Sequence, residues 1–147
     1  MIAGAEALAM GTLVVLVGML LVVNAWAVVD TRMAVESAAR EYLRAYTEST
    51  DPQGALTAAR SELDQVLAER PAIAQRLEVT DPPLGSFGPC EPAMVTLSTS
   101  VPAIRIPLVG TSWGEQTVTV SAVELIDAHR EIRSGPSHDP TRTACHG

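Results

Sequence analysis

Lysine is absent from this chain. All ten basic residues are arginine, and against 17 acidic residues they leave a net charge of −7. No basic patch of the kind that phosphate binding needs is visible, so a nucleic-acid partner is not expected. The signatures of common enzyme chemistries are missing as well: there is no G-x-S-x-G, no phosphate loop and no G-x-G-x-x-G. Without them there is no nucleophile elbow or nucleotide cradle to build on. His129 follows Asp127 with no nucleophile pattern beside it, and the pairs Glu62/Asp64 and Glu124/Asp127 read as solvated faces. Neither catalysis nor a cofactor is expected.

Cysteine is scarce. Cys90 and Cys145 are the only two, both in segments of loop composition. No C-x-x-C or H-x-x-x-H spacing occurs, which works against zinc although His138, Asp139, Cys145 and His146 gather in the tail. A Cys90–Cys145 disulfide would close a loop of about 55 residues and contribute roughly 4 kcal/mol in the chain-entropy model. It is the leading expectation, with free thiols and a metal site as the alternatives.

Charge is missing altogether from Ala7 to Val29. As a helix, those residues span roughly 34 Å, slightly more than a bilayer's hydrocarbon core of about 30 Å. Leu13–Val17 and Met19–Val23 supply the hydrophobicity, and Trp26 sits near the far end, where an indole favours the headgroup interface. A membrane-spanning helix is predicted. The rival is a secretory signal cut after "AWA" (25–27), which the missing basic n-region and the long apolar stretch oppose. Arg32, Arg40 and Arg44 follow the run and no basic residue precedes it. Taken literally, the positive-inside rule would therefore place the C-terminal part in the cytoplasm.

Small residues recur within the run. Gly11, Gly18 and Ala25 stand seven apart, and Ala3, Ala7 and Gly11 four apart. Both spacings line one helix face, as close helix–helix approach in a membrane requires. At the mouth of the run stands Glu6, a carboxylate with no side-chain cation nearby. The helix dipole favours an acidic residue there, and interfacial water or an α-amino group could serve it.

From Asp30 to Thr50 there is no Gly or Pro. Met33, Ala34, Ala38, Leu43 and Tyr46 lie among charged positions, and Glu36/Arg40 form an i,i+4 pair in the favourable order. One helix is predicted from about Ala5 to Thr47, half in lipid and half amphipathic. "DPQG" (51–54) reads as a turn and Gly54–Glu69 as a second helix, ended by Pro71 or followed by one extra turn. "RLEVT" and "AMVTLSTSV" read as strands, the latter with Val95, Leu97 and Val101 on one face and Thr96, Ser98 and Ser100 on the other. "PAIRIPLVG" reads as an edge or loop because Pro107 lacks a ladder donor, resting on the core or touching a membrane surface. In "EQTVTVSAVELIDAHR" the phase changes between Val118/Val120 and Val123/Leu125, which predicts a bulge near Ser121–Ala122.

The predicted class is α+β: a long N-terminal helix (transmembrane, then amphipathic), a second helix, and a small antiparallel sheet of about three strands. The chain divides into a membrane-spanning half-helix (1–29), its soluble extension (30–50), an α+β domain (51–135) and an irregular tail (136–147).

"IAGAEALAMGTLVVLVGMLLVVNAWAVVD" followed by "AVESAAREYLRAY" resembles the TadE-like, type IVb pilin-like proteins of tight-adherence pilus systems, particularly those of actinobacteria. The likeness covers about residues 2–47 and extends more loosely over the paired strands. It implies a pilin-like fold, and a structural role in a pilus or related secretion assembly. The N-terminus would lie in the cytoplasm and the domain (51–135) outside it, the reverse of the charge rule and in keeping with a disulfide. With Ile2 as the first mature residue, Glu6 would be the fifth, the carboxylate implicated in prepilin cleavage, N-methylation and pairing with a neighbour's N-terminal amine. The implied partners are other pilin-like or pilus-assembly subunits, the lipid bilayer and a prepilin peptidase. A basic leader ending in Gly belongs upstream of Ile2 in that family. The other class in view is a membrane-anchored or secreted binding domain with no pilus role.

Overall fold

The computed structural model describes residues 3–106 and 111–127. Helix α1 (Ala3–Thr47) is followed by α2 (Pro52–Val66), the single turn α3 (Pro71–Ala74) and strand β1 (Leu77–Thr80). A short 3-10 turn (Leu84–Ser86) leads to the long strands β2 (Pro92–Ile106) and β3 (Thr111–Leu125). The sheet is antiparallel in the order β1-β2-β3. The chain is thus α+β, with the long helix, further helices and three strands predicted.

The core forms around the second half of α1. Val35, Ala38, Ala39, Tyr42, Leu43 and Tyr46 are buried at i, i+3 and i+4 spacing, so one face of the helix is fully covered. Against it α2 sets Ala55, Ala59 and Leu63, and the sheet sets Ala93, Val95 and Leu97. The alanines on both helices let their backbones approach closely. Phe87 closes the far end, edge-on to Tyr46 with ring centroids 5.3 Å apart. The buried set differs from the residues singled out in the sequence. Met33 is exposed and Ala34 only partly covered, while Val35 and Tyr42 carry the face.

Two other expectations are corrected. "DPQG" is a helix start rather than a separate turn. Asp51 is the N-cap, accepting a bond from the Gly54 N–H at 2.8 Å, and Pro52 occupies the first helical turn. At Gly54 a Cβ would stand 2.7 Å from the Asp51 carboxylate, so a larger residue there would shift the capping side chain. Nor is there a bulge at Ser121–Ala122: β2 and β3 hold one register from Pro92↔Leu125 through Ser100↔Thr117 to Ile106↔Thr111. The phase change arises because Val123 and Leu125 lie on the outer face and are exposed. There they continue a row in which Thr96 bonds Ser121 and Ser98 bonds Thr119, each at 3.0 Å.

Two buried phenols on α1 meet different fates. Tyr42 donates a 2.6 Å hydrogen bond to Asp81, which also receives Arg60 from α2, so three segments meet at one carboxylate. The Tyr46 hydroxyl, one turn on, is buried with no hydrogen-bond partner among the described residues. Burial, with the charge of Asp81 second, pushes Tyr46 up to about 12. Tyr42 is raised too, by burial first and then by its bond to Asp81.

Removing the Tyr42 hydroxyl (Tyr42→Phe) should cost about 1.5–3 kcal/mol, since it breaks a bond to a charged acceptor. Tyr46→Phe should be neutral or stabilising in the same denaturant titration. Both phenols stay neutral in the fold at pH values where the unfolded chain would ionise. Stability should therefore be complete below about pH 10 and fall as pH rises through the folded values. The Phe variants should flatten that alkaline limb.

Candidate membrane anchor and assembly face

The first half of α1 behaves unlike the second. Between Leu8 and Val23 every large apolar side chain except Leu20 is exposed, and they lie on all sides of the helix. A helix apolar all round and uncovered by its own chain presents a lipid-like surface. By length and composition this helix can cross a membrane. The polar groups within the run are satisfied locally. Thr12 donates to the Leu8 carbonyl and Asn24 to that of Leu20, both at 2.8 Å, the i−4 arrangement that leaves no bare donor on such a surface.

Ala3 opens α1, and Ala7, Gly11, Gly18 and Ala25 follow within it, all four exposed. A Cβ built at Gly11 or Gly18 meets nothing within 4 Å. The small residues are therefore not demanded by packing within the chain. At about 100° per residue, the centre of their stripe lies roughly a quarter of a turn around α1 from the centre of the face that the domain covers. Glu6 stands exposed in the first turn. Ile2 lies outside the described residues.

At its exit from the apolar run, α1 is braced. Arg70, between α2 and α3, pairs with Asp30 through two bonds of 2.7 and 3.3 Å. Its guanidinium holds Asp30 below the usual carboxylate range. The pair is exposed, so its value lies in orientation more than in stability. Farther along, Arg32 and Arg40 flank Glu36, and Arg44 sits between Glu41 and Glu48. The sequence pointed to the Glu36/Arg40 pair. It gave no sign of the Asp30–Arg70 brace, whose partners are 40 residues apart.

Cys90 is buried and takes a left-handed backbone with φ +63°. Its N–H donates to the Ile126 carbonyl at 2.9 Å, and the Ile126 N–H returns a bond to Glu91 at 3.0 Å. This fixes Cys90 beside the end of β3, where the chain leaves for the tail. Cys145, His129, His138, Asp139 and His146 lie outside the described residues, as does the tail 136–147. Among the described residues, no group of three His, Cys, Asp or Glu is placed to hold a metal.

No family model, curated protein or solved structure matches the chain.

Because the stripe touches nothing internal, Gly11→Leu and Gly18→Leu should leave domain unfolding in detergent unchanged within about 0.5 kcal/mol. A larger loss would make the stripe part of the chain's own packing.

Proposed function

We propose that the protein is a single-pass, membrane-anchored structural component of a type IVb, tight-adherence-type pilus or a related secretion assembly. It would act as a minor pilin or pseudopilin through packing of its long helix against neighbouring helices. The observation that carries this reading is the form of α1. Its N-terminal half is apolar on all sides and bears an exposed small-residue stripe that none of the described residues covers, and it runs without interruption into the spine of a small domain. Such a helix presents a packing surface for other subunits and holds the domain rigidly on it. The N-terminus lies in the cytoplasm and the domain outside, and Glu6 pairs with the N-terminal amine of a neighbour during assembly. In that oxidising compartment Cys90 pairs with Cys145, returning the tail to the end of β3 beside which Cys90 is fixed.

The test is the mature N-terminus and intact mass of the protein taken without reductant from membranes of its native host. An N-terminus at Ile2, N-methylated, with a mass lighter by the hydrogens of one disulfide, is expected. A start at Val28 would mean a secreted domain and remove Glu6 and the stripe from the mature protein. A helix retained without prepilin-type processing would leave a membrane-anchored domain and overturn the pilin assignment.

A further inference from the structure

The β2–β3 pair is much longer than the sheet it belongs to. β1 pairs only with Thr96–Thr99, whereas the β2–β3 ladder runs on through Val101↔Gln116, Ile104↔Trp113 and Ile106↔Thr111. Beyond Ser100 the two strands form a free ribbon. "PAIRI" is thus strand rather than loop, and it has left the edge of β1 behind.

The direction of this ribbon can be read against α1. Val120 and Ala122 share a cleft with Arg32, Glu36 and Arg40. Farther down the ladder, Val101 and Pro102 share a cleft of about 160 Å³ with Asn24, Ala27 and Val28. Moving along the strands toward the ribbon therefore moves toward the N-terminus of α1, from its charged half into its apolar half.

Just beyond that level the ribbon's outer face carries an exposed apolar pair beside Glu115. Ile104 and Trp113 are directly opposed and both exposed, Trp113 at 76%. Trp26 of α1, 69% exposed, stands between Asn24 and Val28, at the level where the ribbon begins. From Val101 to Trp113 the sequence holds a single charged residue, Arg105, whose side chain is of the type that keeps its stem in apolar surroundings and its head in water.

We propose that the β2–β3 ribbon is a second membrane contact, seating Ile104 and Trp113 in the headgroup–acyl boundary of the leaflet through which α1 leaves the bilayer. The partner is the lipid surface itself. Among the described residues no further strand pairs with either edge of the ribbon, and open edges cannot enter hydrocarbon. The contact is therefore shallow, at the depth where indoles concentrate. With Asp30–Arg70, it would fix the tilt and rotation of the domain over the membrane. This inference rests on the membrane-spanning reading of α1.

Trp26 and Trp113 are the chain's only tryptophans, so each can be isolated by changing the other to Phe; both are exposed, and neither substitution disturbs the core. Each full-length variant is reconstituted into phosphatidylcholine vesicles whose acyl chains are brominated either near the headgroup or near the bilayer centre. Trp113 emission should shift to shorter wavelength and lose most of its intensity to the shallow bromines, far less to the deep ones. Acrylamide should quench it weakly. Water-like Trp113 emission with full acrylamide quenching would overturn the proposal, as would shielding from both quenchers, which would mean a second copy covers the ribbon. Trp26 separates the two claims. If bromolipids quench Trp26 but not Trp113, the ribbon contact fails and the anchor stands; if they quench neither, the membrane reading itself fails.

Discussion

Everything else in the structure depends on the burial of one face of α1 between Thr31 and Thr47. Tyr42, Tyr46, Leu43 and Val35 are among the largest fully buried side chains, and all come from this one helix. α2 and the sheet pack on it from different sides. α2 has no comparable apolar face of its own, burying only Ala55, Ala59 and Leu63. A small domain with so little independent core is stable only while its spine is in place. The helix that carries the apolar half is thus the same element that holds the domain together.

That economy has a mechanical consequence. No proline or glycine interrupts α1 between Gly18 and Thr47, so the helix has none of the usual sites for a kink where it leaves the apolar run. Asp30–Arg70 spans the exit from outside, and the cleft between Asn24–Thr31, α3 and the start of the ribbon lies just inside it. Force or position applied to the apolar half would pass directly to the domain. This suits a subunit that must be packed in a fixed orientation. It suits less well a binding domain tethered by a flexible stalk.

The parts legible in the sequence were those set by strong local patterns. The uncharged run and the lack of helix breakers up to Thr47 defined α1 to within two residues of its start, and alternation in "AMVTLSTSV" gave the faces of β2. Errors arose where a local pattern had two causes. Val123 and Leu125 fell out of phase with Val118, which a bulge would explain; the ladder instead holds register and leaves them exposed. Asp-Pro was read as turn punctuation, although it equally marks a cap followed by a first-turn proline. The choice of Val35 and Tyr42 over Met33 depended on which way α1 faces its partners, a tertiary fact. Small residues at Gly11, Gly18 and Ala25 could be seen in advance, but only the structure shows that they are exposed and that none of the described residues packs on Gly11 or Gly18.

A single continuous helix carries both the apolar half of the chain and the spine of the domain. Hydrogen exchange of the full-length protein in lipid bilayers, read amide by amide across Ala27–Ala34, tests it most directly. A continuous helix predicts protection through this junction equal to that of Val35–Tyr46, with all of it lost together when the domain unfolds. Fast exchange confined to Val28–Thr31, with slow exchange on either side, would reveal a hinge and contradict the account.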